Sequence, residues 1–163
     1  MTDDQRNARN KEMISQLSHW MQPKVAAVLV DLTAHGYRPR IQCAWRNPVD
    51  QLKAYHSGHS KLRFGLHCVT LKGQPSAWAA DILDDSTPLN PSTAFLLTLA
   101  ASAQAHGLET GIRWGLPTKL RSAIDAAIAT HSWNAPVKIG WDANHVQVKA
   151  LTATQAQRGI VPR

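Results

Sequence analysis

A disulfide scaffold is excluded at once, because the chain holds only two cysteines, Cys43 and Cys68, and one pair cannot build the cross-linked frame of a small secreted domain. Equally absent is any run near the roughly 18 apolar residues of a membrane span. The first twenty residues, MTDDQRNARNKEMISQLSHW, mix both charge signs and lack the apolar stretch of a signal peptide. The expectation is a protein without a transmembrane segment, cytoplasmic in the cell that makes it. No internal repeat or low-complexity tract is present, which excludes solenoids and linkers. Acidic residues are in short supply: 11 against 18 Lys plus Arg leave a net charge of +7. That excess favours a polyanionic partner such as nucleic acid, an acidic membrane or an anionic wall polymer. The basic residues are scattered, from Lys11 and Arg38 to Arg121, with no dense run and no nucleic-acid motif, so nucleic acid is not the expected partner.

What is present suits one packed domain spanning 1–163. Hydrophobic residues make up 44% and charged residues 18%, ordinary for a chain that buries a core. ARNKEMISQLSHWM reads as an amphipathic helix, and QPKVAAVLVDLTAHGY as a second, with Pro23 in its first turn and Gly36 as its stop. PRIQCAW alternates as a strand does. RNPVDQLKAYHSG is a short helix with Asn47 as N-cap and Pro48 behind it. AWAADIL is a buried strand. Asn90 and Pro91 open the helix PSTAFLLTLAASAQAHG; LETGIRWG is extended, PTKLRSAIDAAIATH helical, and VKIGWDANHVQVK two strand-like pieces around a turn. The tail ALTATQAQRGIVPR has no pattern and reads as a loose strap. Helices interleaved irregularly with short strands give the α+β class, a small antiparallel sheet flanked by helices.

Of the eight histidines, His19, His35, His106 and His131 fall near helix ends or polar faces and His56 and His59 flank a helix stop, where a histidine needs no special role. His67 and His145 differ. Between His67 and Asp81 lies LKGQPS, whose Gly and Pro suggest a hairpin that sets the two side by side on paired strands. His145, from the last strand, completes a set of two imidazoles and one carboxylate, the ligand count of a zinc site with one open position. Asp142, three residues before His145, is then within reach of a water at that position and suits a general base. The plainer reading of each residue, a core histidine or a solvated acid, stands beside this one. Cys68 reads as a buried inert thiol, Asp84 and Asp85 as a turn and helix-entry feature, and Trp114 and Trp141 as core residues that also wall a cleft.

The series AWRNPVDQLKAYHSGHSKL, FGLHCVT, AWAADI and WDANHVQV resembles the zinc peptidases that include phage L-alanyl-D-glutamate endopeptidases, D-alanyl-D-alanine carboxypeptidases and the vancomycin-resistance dipeptidases. The resemblance covers roughly residues 37–148, beyond a helical part at 8–36. It implies a single-domain zinc peptidase of the D-Ala-D-Ala carboxypeptidase/hedgehog-like type, one Zn2+ per chain on His67, Asp81 and His145, and Asp142 as base. It further implies Arg46 as the arginine that holds substrate and steadies the oxyanion, with Gln51 as the glutamine after it. Ser60 and Trp141 join them as candidate substrate contacts. The chain departs from the family pattern in three ways: Gly65 stands where a serine is usual, Cys68 replaces the residue that usually follows the histidine, and the gap to Asp81 is longer by an inserted turn. The implied activity is a peptidoglycan endopeptidase of the phage endolysin kind, monomeric, acting on bacterial peptidoglycan after release. The alternatives are a D-alanyl-D-alanine carboxypeptidase or dipeptidase, and a non-catalytic zinc-stabilised wall-binding module.

Overall fold

A computed structural model describes residues 1–162. Helix α1 (Asp3–Ser15) starts five residues earlier than its apolar spacing suggests, because Thr2 and Gln5 form a reciprocal capping box and Asp3 and Asp4 sit in the positive first turn. It ends before Leu17, and α2 (Gln22–Ala34) follows. Strand β1 (Pro39–Cys43) comes next. Asn10 and Arg9 of α1 reach it: Asn10 donates to Pro39 O at 2.9 Å and accepts from Ile41 N at 2.8 Å, while Arg9 donates to Gln42 O at 2.8 Å. An edge strand whose open polar groups are taken in this way offers less to a foreign strand.

Helix α3 (Pro48–His56) carries the expected cap, Asn47 accepting from Val49 N and Asp50 N. His67 does not lie on a strand. It sits in a single 3-10 turn, Leu66–Cys68, held by Arg46 N donating to His67 O at 3.0 Å and Trp78 N donating to Leu66 O at 2.9 Å. The expected hairpin exists beyond it as the two-residue strands β2 (Thr70–Leu71) and β3 (Gln74–Pro75), too short to carry the histidine. Then follow β4 (Ala79–Asp84), α4 (Thr93–Ala105), β5 (Leu108–Thr110), α5 (Thr118–Ala129) and β6 (His145–Val148). The cap of α4 is Ser92, not Asn90, and only HVQV of the last strand-like region pairs; 137–140 is irregular. Asp84 ends β4, accepting from Arg38 N and Ser86 N, and Asp85 pairs with Arg40 at 2.8 Å, so neither opens a helix. The tail is no loose strap: it holds a capped helix, α6 (Ala153–Gln157), whose Gln157 is pinned to the backbone of Thr70 in both directions.

The four longer strands form one antiparallel sheet in the order β1-β4-β6-β5. Alternation splits its residues. Ile41, Ala80, Ile82, Val146, Val148 and Leu108 face one way and join the core with Val28, Leu32, Phe95 and Leu99 of α2 and α4. The opposite face carries Asp81, His145, Gln147 and Glu109. A bulge between Ile41 and Cys43 sets Cys43 opposite Asp81, and Asp81 is opposite His145, so three donor-bearing residues form one row across three strands. Among the described residues no helix is long and apolar enough to cross a membrane.

Candidate metal centre

Three atoms converge at the polar face of the sheet. Nδ1 of His145 lies 3.0 Å from Oδ1 of Asp81, Nε2 of His67 lies 3.3 Å from the same oxygen, and the two nitrogens are 3.2 Å apart. Both histidines are only 8% exposed. Register delivers Asp81 and His145; the 3-10 turn drops His67 onto them from the side.

Hydrogen bonds on the far side of each ring assign the protons. His67 Nδ1 faces Ala44 O at 2.6 Å, and a carbonyl only accepts, so Nδ1 carries the hydrogen and Nε2 offers a lone pair. His145 Nε2 faces Gln147 Oε1 at 3.0 Å, and the Gln147 amide donates to Glu109 at 2.8 Å, which turns its oxygen toward the ring. That leaves Nδ1 of His145 as the second lone pair. With neutral rings, three acceptors would meet with no donor between them, an arrangement that only a positive charge can satisfy. Ligands at zinc distances in a tetrahedron stand about 3.3 Å apart, and the separations found are 3.0–3.3 Å. The residues therefore fit a divalent cation.

Without a metal the cluster takes a proton instead. Burial works against a charged His67, but the Asp81 carboxylate, with a smaller contribution from Cys43, outweighs it and pushes the imidazole up to about 10. Burial likewise opposes a charged Asp81, yet the positive charge of the facing His67 holds that carboxyl well below its usual range.

Cys43, not Cys68, is the thiol at the site. Its Sγ forms a compact group of possible metal donors with His67 and Asp81, all within 4.8 Å of one another. The alternative triads share His67 and Asp81 and differ in the third member. His145 makes the tighter one, because Cys43 approaches His67 at Nδ1, 3.9 Å away, the nitrogen already committed to Ala44. Cys68 is buried at 1% exposure within the 3-10 turn, as an inert thiol should be. The signal that could have revealed Cys43 is strand parity with Asp81, which the bulge hides.

Asp142 leans over the cluster, its Oδ2 3.9 Å from His145 Nδ1. Its backbone is in the left-handed region, φ 59°, and its carbonyl accepts from His145 N at 3.0 Å to close the turn. Two glycines permit this placement. A Cβ on Gly111 would come within 2.3 Å of Asp142 O, and one on Gly140 within 2.6 Å of Ile112 O and Trp114 O. Burial raises the Asp142 carboxyl, the imidazole of His145 opposes this, and the charge of Asp81 adds to the rise. A carboxyl so placed is readier to hold a proton than an ordinary surface acid.

Around this core the remaining sequence candidates group by role. Arg46 Nη1 donates to Gln51 Oε1 at 3.1 Å, and its Nη2 lies 3.9 Å from Cys43 Sγ, so the guanidinium borders the cluster. Gln51, 3% exposed, uses its amide nitrogen on Ser60 Oγ at 2.8 Å and Leu62 O at 2.6 Å. Ser60 is thus tied to Gln51 within the loop. Trp141, 41% exposed, stands edge-on to Trp114 at 5.8 Å, and Trp114 lies 5.5 Å from the His145 ring. The two indoles make one wall from solvent to the cluster, with Lys61 over the outer ring at 4.6 Å.

Fold and site together describe an α+β domain whose antiparallel sheet presents a buried His–Asp–His donor set on its polar face. That fold is similar to the crystal structure of the L-Ala D-Glu endopeptidase ChiX of Serratia marcescens, with a TM-score of 0.52, 13% sequence identity and 87% of each chain covered. No protein-family profile and no curated protein matches the chain.

Proposed function

We propose that this protein is a zinc-dependent peptidoglycan peptidase that hydrolyses the L-alanyl-D-glutamate bond of the stem peptide. The observation that carries the reading is the meeting of three lone pairs on His67, Asp81 and His145 beneath the Asp142 carboxylate. A purely structural metal site has no use for an acid beside its donors, whereas here Asp142 leans over from 3.9 Å. Similarity of fold to an endopeptidase of that specificity supports the substrate class, and the +7 balance suits an anionic wall polymer.

His67, Asp81 and His145 would hold the ion, which when bound supplies Lewis acidity toward the scissile carbonyl and toward water. Asp142 takes the proton of the attacking water and hands it to the leaving amine. Arg46, steadied by Gln51, offers N–H donors to the oxyanion or to a substrate carboxylate. Trp114 and Trp141 exclude water from one side of the cleft.

Metal analysis of the purified protein, a turbidity assay on bacterial walls and mass spectrometry of the released muropeptides test this together. About one zinc per chain, wall lysis and new N-terminal D-glutamate are expected. Loss of terminal alanine alone would replace the endopeptidase by a carboxypeptidase, and bound zinc without any hydrolysis would make the protein a binding module.

A further inference from the structure

Two polar side chains behind the metal-facing side of His145, Gln147 and Glu109, have no part in the hydrolysis just described. Gln147 lies two residues along β6 and so on the same face, and Glu109 of β5 is its direct cross-strand partner. They form one chain of hydrogen bonds: His145 Nε2 to Gln147 Oε1 at 3.0 Å, then Gln147 Nε2 to Glu109 Oε1 at 2.8 Å. The ionised end of this chain determines its direction. A carboxylate only accepts, so Gln147 must present its NH2 to Glu109 and its oxygen to the imidazole. That oxygen in turn requires the proton of His145 on Nε2.

The ring has a competing choice. Asp81 Oδ1 stands 3.0 Å from Nδ1 and would accept a proton there equally well. A proton on Nδ1 occupies the lone pair that a metal needs. The geometry points to Glu109 and Gln147 as positioning residues that hold His145 in its Nε2–H tautomer and keep Nδ1 open for coordination. This inference rests on the metal-binding reading above and extends it, since neither residue is among the proposed metal donors. Hydrogen bonds to the far nitrogen of a metal-bound histidine commonly support affinity by about 10–100-fold, and here the support is a neutral amide that a remote carboxylate orients.

The test compares Gln147→Met, which keeps length and loses the acceptor, with the exchange Gln147→Glu plus Glu109→Gln, which reverses the pair yet still offers an oxygen to Nε2–H. Two measurements are made: zinc affinity by competition with a chelator, and the His145 tautomer from long-range 15N–1H spectra of the chelator-treated protein at alkaline pH. Wild type should show Nε2–H alone. Gln147→Met should shift the proton toward Nδ1 and weaken zinc about 10–100-fold, and the exchange should restore both. An unchanged tautomer in Gln147→Met, or an exchange variant that recovers neither property, overturns the inference. Should wild type bind no zinc, the proposed function fails, while the tautomer still reports on the relay.

Discussion

His67 Nε2 and His145 Nδ1 face each other at 3.2 Å although each ring has its proton committed on the opposite side, to Ala44 O and to Gln147 Oε1. Two lone pairs held that close, with the Asp81 oxygen as third corner, make a site defined by its need for positive charge. The consequences can be measured one residue at a time.

Replacing Asp142 by Ala separates binding from chemistry. Zinc content should remain near that of wild type, because Asp142 lies outside the triangle of donors, while wall hydrolysis should fall by about 10²–10⁴, the usual contribution of a general acid–base group. Parallel loss of zinc and lysis would show Asp142 to be a ligand instead.

Removing metal should expose a pH dependence that zinc masks. His67 is raised from 6.5 to about 10 in the folded protein, so its contribution to stability is complete below pH 6.5 and declines as pH climbs toward 10. Asp81 is lowered from 3.8, so its contribution is present above that pH and fades in acid below it. In chelator, the stability difference between wild type and His67→Gln, from urea unfolding, should narrow between pH 6.5 and 10. A difference that stays level across that interval would mean the pair does not form.

Gly111→Ala tests the close approach that carries Asp142. The added methyl would meet Asp142 O at 2.3 Å, and overpacking of this kind costs about 1–3 kcal/mol. Thermal unfolding should register that loss, and hydrolysis should fall more steeply than zinc affinity if the displaced turn holds the proposed base, Asp142. Unfolding and hydrolysis both at wild-type levels would show that the turn yields without cost.

Gln51→Leu should loosen the link between Arg46 and the loop at Ser60–Leu62. It leaves the Arg46 donor and the loop acceptors without their buried partner, a loss of about 1–3 kcal/mol. If Arg46 holds substrate, KM on muropeptides should rise; an unchanged KM with reduced stability alone would restrict Gln51 to a structural role.

Much of this was legible in the chain. Apolar spacing and caps located α2, α3 and α4 to within a few residues, since those signals are local. His67, Asp81, Asp142 and His145 stood out as residue types whose chemistry fits together, and the structure brings all four within a few ångströms. The errors had different origins. The turn at Leu66–Cys68 is held by backbone bonds to Arg46 and Trp78, partners that no nearby pattern announces, and α6 depends on a capping box in an otherwise featureless tail.

Sequence by itself determined the available chemistry: two imidazoles, two carboxylates and an excess of basic residues in a chain apolar enough to bury a core. Tertiary structure decided which atoms of those groups meet. The β1 bulge set Cys43 beside Asp81, the antiparallel register set Asp81 beside His145, and the β5–β6 pairing brought Glu109 to Gln147. Side-chain identity is encoded residue by residue, but register is a property of strands distant in sequence, and only their pairing determines which lone pair is left facing the centre.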